Sequence, residues 1–117
     1  MKRVLGLITL FAISFSLHAA DCESPVSKER FTSLYKTVEL KKGDQQKYIS
    51  ITTYTKGECI TVDQLSEFLG LIDEHKVKIS IVQAAYNHLY DLENIDQLNT
   101  YFTEYEKSVI QKVAKKQ

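Results

Sequence analysis

The densest group of metal-ligand residue types lies at residues 91–96, which read DLENID. Carboxylate and amide oxygens are the ligands that calcium prefers. An EF-hand loop starting at Asp91 would need glycine at its sixth position and glutamate at its twelfth, where this chain has Asp96 and Phe102. The segment is therefore predicted to be a turn with helix caps at Asp91 and Asn94, and no metal site is expected. Asp91 is also a candidate acceptor for the free N–H groups of a neighbouring helix.

Acid–base chemistry finds little support in the sequence. Tyr86, His88 and Asp91 come closest to a cluster, but residues 86 and 88 point about 200° apart on a helix and do not converge. No glycine-rich phosphate loop, nucleophile elbow or metal-binding histidine pair occurs. We predict no catalytic residue and no cofactor.

Tyrosine is the residue type that points to recognition. The chain has seven tyrosines and no tryptophan, and tyrosine is favoured at interfaces because it is large, rigid and amphipathic. Tyr86, Tyr90, Tyr101 and Tyr105 fall at i, i+4 spacing on two consecutive predicted helices. They form a candidate binding surface in a groove between those helices. The alternative is a tyrosine-rich core in a small domain.

The first twenty residues are typical of a secretory signal peptide. Lys2 and Arg3 precede an apolar run over 4–17, and the small residues of 19–20 follow. The run is shorter than the roughly 20 apolar residues that span a membrane, and no second run follows. Asp21 directly before Cys22 argues against a lipid anchor. We expect cleavage near Ala20, export to the periplasm or exterior, and a mature chain without a transmembrane segment.

Residues 21–117 are predicted to be a single helical domain. Cleavage removes Lys2 and Arg3 and leaves 13 basic against 15 acidic residues, a net charge of −2, which argues against a nucleic-acid partner. Two cysteines in an exported protein favour a disulfide, here Cys22–Cys59. A catalytic or metal-binding cysteine is the alternative, although no zinc-ligand spacing is present.

A repeated helical pattern must position these side chains. In each copy a small polar residue precedes apolar residues at i, i+3, i+4 and i+7, and the copies are offset by 34 (31 to 65) and 33 (65 to 98) residues. The copies are Ser27 with Phe31, Leu34, Tyr35 and Val38; Thr61 with Leu65, Phe68, Leu69 and Ile72; and Asn94 with Leu98, Tyr101, Phe102 and Tyr105.

The fold class predicted from this pattern is all-α. We expect about five helices, as two and a half helical hairpin units in a small bundle or short repeat: 28–40, 44–57, 61–72, 74–90 and a last helix from Asn94 to about 113. Ser27 and Thr61 are predicted caps, with Gln64 completing a capping box. Residues 48–55 are rich in β-branched and aromatic types, so a strand is the alternative to the second helix there.

Part of the chain resembles an uncharacterised helical family, domain-of-unknown-function family 4476. The matching residues are Cys59 ahead of Thr61 and Gln64, Ala85-Tyr86 on the next helix, Asp91 and Asn94 before the last one, and the aromatic Phe102. The resemblance covers most of 22–105. It implies a helical fold and, since members are common among exported bacterial proteins, export. The resemblance implies no catalytic residues for this chain.

Three functions are compatible with these observations. The first is a small exported, non-catalytic binding module whose partner is another envelope or extracellular protein or peptide. The second is a periplasmic inhibitor or accessory factor of an envelope enzyme, for which 41–46 is the candidate protruding loop. The third is an enzyme built from scattered carboxylates and tyrosines.

Overall fold

Five α-helices and two 3₁₀ helices make up the described part of the chain. The structure is a computed structural model that describes residues 22–114, and the predicted signal peptide lies outside them. The α-helices are α1 (Lys28–Glu39), α2 (Gly43–Gly57), α3 (Val62–Leu69), α4 (His75–Ala85) and α5 (Glu104–Ala114). The 3₁₀ helices are Tyr86–His88 and Leu92–Thr100. The all-α prediction is confirmed, and no strand occurs within residues 22–114.

The predicted caps set the starts of α1 and α3. The Ser27 hydroxyl accepts a hydrogen bond from the backbone N–H of Arg30 at 3.1 Å. Thr61 and Gln64 form the reciprocal capping box, in which each side chain accepts from the backbone N–H of the other residue. These bonds satisfy donors that a helix start otherwise leaves free.

Residues 48–55 are helical, which decides between the two conformations that the sequence allows. The Thr52 hydroxyl donates to the carbonyl of Tyr48 at 2.8 Å, and the buried Thr55 hydroxyl donates to that of Thr52 at 3.0 Å. Threonine is tolerated here because its hydroxyl bonds to carbonyls of the preceding turn. Ile51, which is fully buried, anchors this helix in the core.

The α-helices stack in two layers. α1 packs against α3, and α3 packs against the long 3₁₀ helix; α2 packs against α4, and α4 packs against α5. The repeated apolar residues fill the space between the layers, with Phe31, Leu65 and Leu98 at equivalent positions and all at most 6% exposed. The fourth position of the third copy breaks the pattern, because Tyr105 is 77% exposed.

The third unit departs from the predicted helices. α4 ends at Ala85 and not at Tyr90, and the predicted last helix is a 3₁₀ helix followed by a break. Asn94 lies inside that 3₁₀ helix, so its predicted role as a cap is wrong. α5 starts afresh because Thr103 and Glu106 form a second capping box, in which the Thr103 N–H donates to Glu106 Oε1 at 2.8 Å.

No described helix combines the length and apolar composition that crossing a bilayer requires.

Candidate interaction surface

A shallow cleft opens between α4, the long 3₁₀ helix and α5, and we call it the third-unit cleft. Its floor is apolar and its rim is polar. The floor consists of Val82, Ile95, Leu98, Phe102 and Ile110; the rim consists of Tyr86, Asp96, Asn99, Lys107 and Gln111. The space between the walls is about 310 Å³, including the part open to solvent. The cleft is narrow and suits one small side chain better than a whole metabolite.

The cleft exists because the 3₁₀ helix covers the core incompletely. Its apolar residues recur at every third position, as Leu92, Ile95, Leu98 and Tyr101, which is the period of a 3₁₀ helix. Of these, Leu98 is buried and the other three are half-buried. This segment winds more tightly than an α-helix and buries only one residue fully, so the half-buried Ile95 lines the cleft beside the buried Val82 and Phe102.

The four predicted tyrosines occupy four different environments. Tyr86 lines the third-unit cleft. The Tyr101 hydroxyl donates to the carbonyl of Ser66 at 3.2 Å, and the Lys78 ammonium lies 5.0 Å from the centre of its ring. Tyr90 is 42% exposed and Tyr105 is 77% exposed. In residues 22–114 no ring contact joins two of the four.

The four tyrosines were grouped by their i, i+4 spacing on two predicted helices, but in the structure neither pair lies on one continuous helix. Tyr90 follows the short 3₁₀ helix, and its N–H donates to the carbonyl of Ile60 at 2.9 Å. Tyr101 and Tyr105 lie on either side of the break at Thr103. The structure therefore brings Tyr86 into the cleft and places Tyr105 on the outside of α5. A binding role for these residues stays a prediction.

One carboxylate–imidazole pair fixes α5 to α4. His75 Nε2 lies 2.7 Å from Glu106 Oε2, and the imidazole ring packs 5.6 Å from the ring of Phe102. The hydrogen bond from His75, together with that from the Thr103 N–H, lowers the pKa of Glu106 from its ordinary value. Both oxygens of Glu106 are thus used structurally.

Asp91 links the third unit to α3. Its Oδ1 accepts from the backbone N–H of Val62, the first residue of α3, at 2.8 Å, and its Oδ2 accepts from the Asn94 amide at 2.9 Å. Asp91 therefore accepts a hydrogen bond from a backbone N–H that the start of α3 leaves without a partner inside that helix. Among residues 22–114, no three of the His, Cys, Asp and Glu side chains converge as a metal site would require.

Asp44 likewise accepts hydrogen bonds from backbone N–H groups, here those directly before α4. Its carboxylate oxygens accept from the backbone N–H groups of Asp73 and Glu74 at 3.0 and 2.7 Å. These bonds lower the pKa of Asp44 from its ordinary value. These bonds could not be predicted from a local pattern, because they join residues about thirty positions apart.

The segment before α1 lies against the loop before α3. The Val26 N–H donates to the carbonyl of Cys59 at 2.8 Å, and Arg30 forms an ion pair with Glu58 at 3.1 Å. Cys22 and Cys59 are both half-buried thiols in the structure. The contacts keep the two cysteine-bearing segments adjacent, and the disulfide stays a prediction.

Comparison with known proteins gives one match. A family model described as "Domain of unknown function (DUF4476)" matches residues 24–114. Searches of the curated proteins and of the solved structures found nothing that matches.

Proposed function

Because this chain belongs to the DUF4476 family, whose own function is unknown, we propose a function from the geometry of the third unit. The protein is an exported, non-catalytic binding module that takes a segment of another envelope or extracellular protein into the third-unit cleft. Export is supported by the leader pattern of the first twenty residues.

The shape and chemistry of the cleft carry the proposal. Ile95, Phe102 and Ile110 offer apolar contact to one small side chain, while the amides of Asn99 and Gln111 at the rim can bond to a peptide backbone. The Lys107 ammonium is held by Glu104 Oε1 at 2.8 Å and borders the same cleft. An apolar floor with hydrogen-bonding groups at its edge suits a peptide better than a compact polar metabolite.

The two other functions find weaker support. The inhibitor hypothesis needs a protruding loop, and residues 43–46 belong to the first turn of α2, so the turn after α1 spans only 40–42. The enzyme hypothesis needs several acid and base groups that converge in a cleft, and of the described residues Asp96 is the one carboxylate that lines the third-unit cleft. The carboxylates with lowered pKa, Asp44 and Glu106, are occupied by helix starts and by His75.

The decisive experiment blocks the cleft without touching the core. Asn99 and Gln97 are both exposed on the long 3₁₀ helix, but only Asn99 lines the cleft. We expect Asn99→Arg to abolish enrichment of peptides from a displayed random-peptide library, and Gln97→Arg, the matched control, to leave enrichment intact. Thermal melting must show both variants folded. Equal enrichment by Asn99→Arg and the parent protein would rule out the cleft as the binding site.

A further inference from the structure

The rim of the third-unit cleft carries one charge that the protein itself does not balance. Asp96 and Lys107 are the charged residues that line the cleft within the described chain. The Lys107 ammonium is bound by Glu104 Oε1 at 2.8 Å. The Asp96 side chain is exposed, and its carboxylate has no hydrogen-bond or ion-pair partner among residues 22–114. The cleft therefore presents a free negative charge beside its apolar floor.

The 3₁₀ helix arranges this charge in a row along the cleft. Residues three apart are eclipsed in a 3₁₀ helix, so Leu92–Thr100 presents three rows of side chains. One row is apolar and faces the core. A second row, which we call the cleft row, consists of Glu93, Asp96 and Asn99, and its last two members line the cleft. Glu93 is exposed and, like Asp96, has no side-chain partner among the described residues. A rise of about 2 Å per residue places neighbours in the row about 6 Å apart.

The charge of the surrounding segment has the same sign. Residues 91–106 contain five acidic residues and no lysine or arginine. Because charges interact over about 8 Å at physiological ionic strength, this segment adds to the negative potential along the cleft row. An acidic side chain in the cleft would be repelled by Asp96, and the Lys107 ammonium that could attract it is already bound by Glu104. The electrostatics thus favour a basic ligand.

We propose that the third-unit cleft selects basic extended peptide segments, in which a small apolar side chain enters the floor and two lysine or arginine side chains pair with Asp96 and Glu93. This inference rests on the proposed function and specifies the chemistry of its partner. An extended segment presents every second side chain on the same side, about 6.6 Å apart. That repeat matches the spacing of about 6 Å along the cleft row. The expected motif is an apolar residue followed by basic residues two and four positions away, in either chain direction.

The cleft row is expected to decide which peptide binds more than how tightly it binds. An ion pair between exposed side chains contributes about a two- to fivefold gain in affinity. Asp96→Asn should therefore weaken binding of a basic peptide by about two- to fivefold. Asp96→Asn combined with Glu93→Gln should weaken it by about tenfold, and raised salt should act in the same direction.

Selection from a displayed random-peptide library identifies the motif without assuming a ligand. The protein is purified in the form that cells accumulate. We expect the enriched peptides to carry the apolar residue with its two basic residues, and Asp96→Lys to remove the preference for the nearer basic residue. The matched control is Glu67→Lys, which makes the same change of charge at an exposed residue of α3 that does not line the cleft. It should enrich the same motif as the parent protein, and thermal melting must show both variants folded.

A double-mutant cycle assigns the basic residue of the peptide to Asp96. The selected peptide is compared with a copy in which the nearer basic residue is replaced by norleucine, and fluorescence anisotropy measures the binding of each. The replacement should weaken binding to the parent protein and to Glu67→Gln by about two- to fivefold. It should leave binding to Asp96→Asn unchanged, because the partner charge is already absent there.

The outcomes separate this inference from the proposed function. Enriched peptides without basic residues, whose capture Asn99→Arg abolishes, would overturn the basic specificity and leave peptide binding in the cleft standing. No enrichment of any peptide by the folded parent protein would overturn both. Basic peptides that lose the same affinity with Asp96→Asn and with Glu67→Gln would show attraction to the overall charge of the protein, which also overturns the role of the cleft row.

Discussion

The hydrogen bond from Val62 to Asp91 makes a sharp test of how the third unit is held. Val62 is fully buried, and its N–H has no partner inside α3 because it lies in the first turn. Asp91→Ala removes the acceptor and leaves this donor unpaired, which costs about 2 kcal/mol. The second bond of Asp91, to the exposed Asn94 amide, adds little. For a domain of this size, about 2 kcal/mol corresponds to a fall in Tm of about 8–16 °C.

Urea unfolding followed by circular dichroism measures this loss directly. The matched control is Glu93→Ala, which removes an exposed acid two residues away, on the 3₁₀ helix that follows Asp91, and should change the free energy of unfolding by less than about 0.5 kcal/mol. Asp91→Asn should fall between the two, since its amide oxygen can still accept from Val62. If Asp91→Ala were no less stable than Glu93→Ala, the bond would not be what holds the third unit against α3.

Three further outcomes are expected. Since the fold lowers the pKa values of Asp44 and Glu106 from their ordinary 3.8 and 4.5, both carboxylates stabilise the protein above these values. That contribution is lost as the pH falls through the lowered values; urea midpoints across this range should decline, and Asp44→Asn with Glu106→Gln should flatten the decline. Oxidation with glutathione disulfide should join Cys22 to Cys59, seen by peptide mass mapping, and raise stability by about 4 kcal/mol; a reduced, unchanged protein would refute the pairing. Tyr105→Ala should leave Tm within about 2 °C of the parent value, because an exposed ring contributes little to packing, and a large fall would place Tyr105 in the core.

The first two units were predictable because their signals are local. Ser27, Thr61 and Gln64 sit directly before apolar stripes at helical spacing, and caps of this kind act within four residues. The helical conformation around Ile51 could not be decided from local sequence, because residues 48–55 are of types that favour strands. Burial of Ile51 against the other layer outweighs this local preference.

The third unit was mispredicted for two reasons that were visible in the sequence. Leu98 and Tyr101 satisfy the i, i+3 steps of an α-helix, but Leu92 and Ile95 extend the same three-residue period, which favours a 3₁₀ helix. Thr103 and Glu106 have the spacing of a capping box, which is the strongest local sign that a new helix begins there. The bonds of Asp44 and Asp91 to distant helix starts had no local sign, because their partners lie about thirty residues away.

The third-unit cleft lies where the helical repeat fails, between α4, the long 3₁₀ helix and α5. In the second unit α3 buries Leu65, Phe68 and Leu69 fully. In the third unit the 3₁₀ helix buries only Leu98 fully, which opens the cleft, and the break at Thr103 turns Tyr105 outward where Ile72 of the preceding copy faces the core. A proline at position 104, the first residue of α5, is compatible with a helix start and would leave the cleft in place. Converting the break into continuous α-helix, by replacing Thr100 and Thr103 with alanine, should close the cleft while keeping the buried Phe102. Loss of peptide capture by that variant, with thermal melting that shows it folded, would trace the cleft to this departure from the repeat.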